Sequence, residues 1–342
     1  MGKMREQIMA SMGPAMRCAL FDTSIFDVSH FDTTQTQIEV ELGDAPVGYN
    51  WLKKEIKYTC SFDKQSDYDN TKPTAIIPIR DCSNIITMCM ESMKRTDTFD
   101  MINVIIVDDR STEDIEVVAK KYGVSYLRVD YDSTFNFSML CNIAAKICSD
   151  LGNTQVIMWN ADLFISDRKN LETIISKHNK YDSKISGAKL LYPPIEYSTS
   201  SEHDTTNILT HFPRMVGKWR NTVQFGGSQF IPTPGNPIDL SPIHKHRFEQ
   251  KEEASYDAQS DFVTGAFQLM DLGNFMSVGG YNPSLENNFQ DVDICKGTDS
   301  VWYFGDDVEF YHDESPVMGV HKTKFSKQMQ SDHILYGLLW NQ

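Results

Sequence analysis

The residues best suited to chemistry in this chain are carboxylates that close apolar runs. Asp162 ends the stretch Met158-Trp159-Asn160-Ala161-Asp162, which follows Val156-Ile157. An acid at the carboxyl end of a strand in an open α/β sheet faces the crevice where ligands bind. There it can hold a divalent cation that bridges the phosphates of a nucleotide. Asn160 can add an oxygen or orient those phosphates. Asp108 and Asp109 close Val104-Ile105-Ile106-Val107 in the same way, and can accept hydrogen bonds from a nucleoside. The competing reading makes them capping, solvated acids. Asp291 and Asp293 lie closer together on a helical turn than in an extended segment. One of them can take the proton from an attacking hydroxyl; otherwise they are an acidic helix start. His312 follows Val308-Glu309-Phe310-Tyr311 at a strand end, where an imidazole can complete a metal site with Asp162. A lone histidine is more often a surface or core residue. His203, His211, His244 and His246 have no metal-ligand spacing.

These positions need a scaffold, and the pattern from residue 74 onward supplies one. Apolar strands are predicted at 74–79, 104–107, 124–129 and 156–158. Between them run helical stripes: Ile85, Ile86, Cys89 and Met93; Ile115, Val118, Ala119 and Tyr122; Leu140, Ile143, Ala144 and Ile147. Ser111 and Asp114 look like a capping box for the second stripe, and Gly123 suits its end. Asp167 caps a further helix carrying Leu171, Ile174 and Ile175. Strand and helix alternating at this spacing imply βαβ units and a mostly parallel central sheet flanked by helices. Residues 186–193 read as another strand. Residues 192–260 are rich in Pro, Ser, His and Thr, and order returns over 261–281, with a short helix at 271–275 and a turn at Gly279-Gly280-Tyr281. Upstream, Ile38, Val40 and Leu42 alternate with acids, 58–62 reads as a strand, and the polar, Pro-ended 63–73 as a linker. Residues 333–340 read as an amphipathic helix. The resulting division is an extension of unknown role over 1–70, a main domain over 71–320 with halves at 71–170 and 171–320, and a helical tail over 321–342.

Composition removes several function classes. The 342 residues are 40% hydrophobic, so a sizeable core is within reach. A net charge of −15, from 32 Lys and Arg against 47 Asp and Glu, repels phosphate backbones and disfavours nucleic acid as a partner. No apolar run reaches the roughly 18 residues of a spanning helix, and the first twenty or so residues lack the apolar core of a signal peptide. The 7 cysteines are odd in number with no CxxC pair, which points to a reducing, cytoplasmic setting and no zinc site. The GxGxxG, GxxxxGK[ST] and GxSxG signatures are absent.

The order of the segments is more telling than any one of them. TAIIPIRD (74–81), VIIVDDRS (104–111), FNFSMLCNIAA (135–145), MWNAD (158–162), SGAKLLYP (186–193), NTVQFGG (221–227), FVTGAFQLMD (262–271), VGGYNPSLENNFQDVDIC (278–295) and FYHDES (310–315) follow one another. This resembles the family 2 glycosyltransferases with the GT-A fold, in particular bacterial rhamnosyltransferase-like and O-antigen-type members, over roughly residues 74–319. The resemblance implies a Rossmann-like nucleotide-binding half and an acceptor half. It implies that Pro78, Ile79, Arg80, Asp81, Asp108 and Asp109 line the nucleoside pocket, and that Asn142 lies near the donor. Asp162, with Asn160 and Ala161, would bind Mn²⁺ or Mg²⁺ and the diphosphate, and His312 would join them. Thr264, Gly265 and Ala266 would border acceptor and sugar. Asp291 would be the base of an inverting transfer, with Asp293 as helper. The implied partners are a nucleotide-diphosphate sugar donor and a glycan or glycoconjugate acceptor. Four positions depart from the family pattern: Asn160 replaces the first acid of the metal motif, Gln290 the acid before the base, Phe225 a frequent histidine, and Lys296-Gly297 a cationic helix. The competing reading is a decayed, non-catalytic transferase that binds glycans or a partner. A nucleotidyltransferase would need a glycine-rich basic loop where this chain has Arg80-Asp81-Cys82-Ser83. Sugar, base, acceptor linkage and oligomeric state are not written in these motifs.

Overall fold

The computed structural model describes residues 38–40, 58–198, 218–230, 240–242, 247–313, 331–333 and 335–337. The histidines at 203, 211, 244 and 246 lie outside them. The first half alternates as its apolar runs require: β1 (Ile38–Val40), β2 (Tyr58–Asp63), β3 (Thr74–Ile79), α1 (Ser83–Arg95), β4 (Asn103–Asp109), α2 (Ile115–Tyr122), β5 (Ser125–Tyr131), α3 (Phe137–Asp150) and β6 (Gln155–Trp159). Then come β7 (Leu163–Phe164), α4 (Arg168–Lys180), β8 (Ile185–Leu191), β9 (Val223–Phe225), β10 (Ser228–Phe230), β11 (Leu240–Pro242) and β12 (Asp257–Gln259). The remainder is β13 (Phe267–Asp271), α5 (Leu272–Ser277), α6 (Gln290–Lys296) and β14 (Val301–His312).

Among the described residues one 12-stranded sheet runs in the order β1-β2-β5-β4-β3-β6-β13-β8-β14-β12, with β7 on β14 and β9 on β8. Strands β5, β4, β3 and β6 are parallel. Every residue of β3 and β4 is buried, as a strand covered by helices on both faces must be. The seam lies beyond β6. There β13 enters antiparallel to both β6 and β8, while β14 returns parallel to β8. Trp159, Phe267 and Phe310 lock this seam, with ring centroids 4.6–5.5 Å apart in edge and stacked pairs. Each such pair adds about 0.5–1.5 kcal/mol beyond its burial.

Local chemistry sets the element ends. Asp114 caps α2 by accepting from the Val117 N–H, and Gly123, at φ 67°, ends it. The Ser111 hydroxyl is used elsewhere: it accepts from the Asp81 N–H at 2.7 Å, so the expected capping box does not form. Asp167 caps α4 and Asp271 caps α5. Among the described residues no helix is long and apolar enough to cross a membrane.

The sheet also ignores the expected boundary at residue 70. The whole of β2 pairs antiparallel with residues 126–131 of β5, so residues 58–63 are part of the main sheet. The described part of the tail packs too. Asp332 is buried and accepts from the backbone N–H groups of Glu286, Asn287 and Asn288 at 3.0–3.2 Å. Burial pushes its carboxyl up to about 6 despite those three donors. Tyr336 stacks on Phe289 at 4.9 Å. The loop entering α6 is therefore braced from the tail.

Asn142 performs a related task. Its side chain donates to the Tyr281 carbonyl at 2.8 Å and accepts from the Tyr281 N–H at 2.9 Å. The Tyr281 hydroxyl donates to Gln268, which donates in turn to the Val263 carbonyl at 2.7 Å. Asn142 thus clamps the Gly279-Gly280-Tyr281 turn. Gly280 has φ 69°, and a Cβ there would stand 2.6 Å from Asn142 Oδ1. We expect Gly280→Ala to cost about 2–3 kcal/mol, from left-handed strain plus the clash. The measurement is chemical denaturation. Because the clash is with Asn142, the loss should be non-additive with Asn142→Ala. Strict additivity would show that this contact is not the cause.

Candidate active site

The parallel half brings its strand ends to one edge. The register pairs Ile79 with Asp108 and Asp109 with Val129, which sets the acids of β4 beside Arg80 and Asp81. The two acids then part company. Asp108 Oδ1 accepts from the Ser111 N–H at 2.8 Å, and its Oδ2 meets the Tyr126 hydroxyl at 2.5 Å and Arg128 at 3.2 Å. Asp108 is fully buried and spent on closing the β4–α2 turn. Asp109 keeps one oxygen in hand. Its Oδ1 accepts from Arg110 at 2.8 Å, but the buried Oδ2 has no hydrogen-bond partner, and Arg80 stands 3.7 Å away. Burial holds the Asp109 carboxyl above its ordinary value, against the pull of Arg110 and Arg80. A buried acceptor with an ion-pair partner but no hydrogen bond is incompletely satisfied, so a ligand that supplies a donor gains from it.

Pro78 and Ile79 are buried strand residues, so Arg80 is the side chain of this group that reaches toward Asp109. Asp81 and Cys82 are both left-handed, at φ 57° and 59°. Asp81 Oδ1 accepts from the Thr112 N–H and hydroxyl at 2.7 and 2.9 Å and from the Glu113 N–H at 3.3 Å. Burial would raise this carboxyl, yet those donors outweigh it and hold it below its ordinary value. Asp81 therefore laces the end of β3 to the β4–α2 turn.

At the seam the chain turns tightly after β6. The Leu163 N–H donates to the Asn160 carbonyl and the Trp159 indole to the Leu163 carbonyl, each at 3.0 Å. Ala161 and Asp162 are buried in this turn. The pairing of β7 with β14 sets His312 opposite Leu163. As a result His312 Nε2 lies 3.3 Å from Asp162 Oδ1 and 3.4 Å from Asn160 Nδ2. Behind the ring, Gln224 of β9 places Oε1 2.7 Å from His312 Nδ1 and donates from Nε2 to the His312 carbonyl at 3.2 Å.

These residues fit a hard divalent cation. A carboxylate oxygen suits Mn²⁺ or Mg²⁺, and an imidazole nitrogen beside it favours the transition metal Mn²⁺ over Mg²⁺. Their 3.3 Å separation is near the ~3 Å edge of an octahedron with ~2.1 Å bonds. Among the described residues no group of three or more His, Cys, Asp or Glu could hold a metal ion. A cation here would draw its other ligands from phosphate oxygens and water.

The helix-borne acid approaches from the other side. Asp291 Oδ2 accepts from the Gly265 N–H at 2.7 Å, and its Oδ1 from the Val292 N–H at 2.9 Å. A Cβ on Gly265 would stand 3.1 Å from the Asp291 Cβ, so glycine permits the approach. The neighbouring Ala266 carbonyl accepts from the Asn160 N–H at 3.0 Å. Two adjacent residues thus hold Asp291 by one hand and the metal-type corner by the other, with Thr264 at the start of the strap. Asp293 stands apart. Residues two apart on a helix do not face each other, so α6 turns it away from Asp291 and the helical turn does not make a pair of them.

A parallel half joined at a seam to a mixed half, flanked by helices, is the layout of the GT-A fold. Residues 74–234 match the family model described as Glycosyl transferase family 2, and the chain carries a family 2 glycosyltransferase domain with this fold. No curated protein sequence matches the chain. Among solved structures, S. aureus TarS 1-349 aligns at 12% identity and a TM-score of 0.45, covering 78% of this chain and 72% of that one. Its complex with UDP-GlcNAc aligns at 13% and 0.45, covering 71% and 59%. The mannosyltransferase PcManGT from Pyrobaculum calidifontis, in complex with GDP-Man and Mn²⁺, aligns at 12% and 0.45, covering 80% and 67%. The chain spans 59% to 72% of the lengths of these proteins.

Sequence reasoning missed Gln224, Gly265 as the hydrogen-bond donor to Asp291, and the brace from Asp332. Gln224 leaves a faint signal, a polar residue at a buried position between Val223 and Phe225.

Proposed function

We propose that this glycosyltransferase moves a sugar from a nucleoside diphosphate to a hydroxyl of a glycan or glycoconjugate, with inversion. The observation that supports the reading is the Gly265-Ala266 turn, which hydrogen-bonds the Asp291 carboxylate through Gly265 and the Asn160 backbone through Ala266. An in-line displacement needs a base on the acceptor side and the departing phosphates on the other, and the Asp291 carboxylate and the Asn160–Asp162 corner are the candidates for those roles. Asp291 takes the proton of the acceptor hydroxyl as its oxygen bonds to the anomeric carbon. The bond from that carbon to the diphosphate breaks, and its electron pair leaves on the phosphate oxygen. Asp162 and His312 would hold Mn²⁺ or Mg²⁺, which when bound offsets the charge developing on that oxygen. Asp109 offers to a nucleoside N–H the oxygen that has no hydrogen-bond partner and is ion-paired with Arg80. The six described cysteines are all free thiols, in keeping with a cytoplasmic, reducing setting.

The test is thermal unfolding against a panel of nucleoside diphosphates, with and without Mn²⁺. One base should raise the stability by about 2.7 kcal/mol at a hundred times its dissociation constant, and only with the cation. If no nucleotide shifts the transition, the donor reading fails.

A further inference from the structure

We infer that Gln224 is a positioning residue that sets which nitrogen of His312 faces Asp162. This rests on the reading of Asp162 and His312 as a cation-holding pair. Gln224 is the middle residue of β9 and His312 the last of β14; both are buried. Gln224 grips the histidine twice. Its Nε2 donates to the His312 backbone carbonyl at 3.2 Å, and this fixes the orientation of the amide, because only the nitrogen end can donate. The oxygen end is then left for the ring, 2.7 Å from Nδ1. An acceptor at that distance requires the hydrogen on Nδ1.

In the neutral ring the other nitrogen, Nε2, carries the lone pair. That lone pair is aimed at the corner. Asn160 Nδ2, a donor, lies 3.4 Å from it, and Asp162 Oδ1, an acceptor, lies 3.3 Å from it. A lone pair and a carboxylate oxygen face each other favourably only with positive charge between them. Gln224 thus holds His312 in the one neutral tautomer that can ligate beside Asp162. It takes the place that a carboxylate or backbone carbonyl takes behind many metal-bound histidines. A glutamine that merely filled space would not need to pair both ends of its amide with the same residue.

The experiment is NMR of the full chain labelled with ¹⁵N-histidine, at a pH where the ring is neutral, with His312 assigned from His312→Gln. Binding of Mn²⁺ alone is measured in parallel by EPR of the free ion. We expect hydrogen on Nδ1 in the natural chain. Gln224→Glu gives up the donor to the His312 carbonyl but retains the acceptor for Nδ1, and should keep the hydrogen on Nδ1 and Mn²⁺ binding. Gln224→Leu should release the hydrogen to Nε2 and weaken Mn²⁺ binding about 10–100-fold. Should the leucine variant not fold, the natural chain and Gln224→Glu decide. Hydrogen on Nε2 in a natural chain that binds Mn²⁺ would overturn the role of Gln224 alone. Unchanged ring shifts and affinity in a folded Gln224→Leu would do the same. Hydrogen on Nδ1 with no Mn²⁺ binding would overturn the cation reading, and the role of Gln224 toward it.

Discussion

Asp291→Asn should cut glycosyl transfer by about 10²–10⁴-fold while leaving the fold and nucleotide binding in place. General-base catalysis contributes about 10²–10⁴-fold, and an amide cannot take the acceptor proton. The substitution keeps the shape of the side chain and gives up one acceptor, the oxygen that takes the Val292 N–H. Asparagine Oδ1 can still accept from the Gly265 N–H that holds the carboxylate at 2.7 Å, so α6 should stay docked on the strap. Two readouts are needed: turnover with the donor identified by the nucleotide panel, and the shift in unfolding that the same nucleotide produces. Lost turnover with an intact shift supports Asp291 as the base. Unchanged turnover would move the base elsewhere. A natural chain that binds nucleotide but never turns over would favour a binding module descended from a transferase.

Asp162→Ala should abolish the cation-dependent part of nucleotide binding, which removes the expected stabilisation of about 2.7 kcal/mol at a hundredfold ligand excess. The change takes away one of the two side chains that, among the described residues, would hold the ion. It spares the scaffold, because the Asp162 contact that anchors the next segment is its backbone carbonyl, which accepts from the Asp313 N–H at 2.9 Å. The unliganded variant should therefore unfold close to the natural chain, and the loss should appear when Mn²⁺ and nucleotide are added together. A variant that keeps a full Mn²⁺-dependent shift would remove Asp162 from the site.

The legible parts of this chain are those written by neighbours in sequence. β3 could be read to the residue, because its apolar run stops at Ile79 against Arg80-Asp81. Asp167 and Gly123 mark helix ends by chemistry that acts within one turn. β4 reads short, since Asp108 and Asp109 look like loop acids until the partners that bury them are known. The choice between Ser111 and Asp114 as the cap of α2 depends on Asp81, thirty residues upstream, which claims the serine. Asn142 carries no local sign that its amide belongs to Tyr281, 139 residues on. Gln224 and His312 are 88 residues apart. The direction of β13 is hidden for another reason: an apolar run such as Phe267 to Met270 reads the same in a parallel or an antiparallel strand. The segment order and the candidate acids could thus be named, while the partners that distinguish Asp108 from Asp109, and Asp291 from Asp293, could not.

The position of β13 also limits how this enzyme can change over evolutionary time. The strand is paired on both sides, and the Gly265-Ala266 strap leads directly into it. Inserting or deleting one residue between Thr264 and Asp271 would shift the register and turn every following side chain to the opposite face. The same slip would carry the Gly265 N–H away from Asp291 and the Ala266 carbonyl away from Asn160. Substitutions can be absorbed here one at a time, but a change of length cannot. Mutation can therefore rewrite the letters of this strand while natural selection holds their number constant.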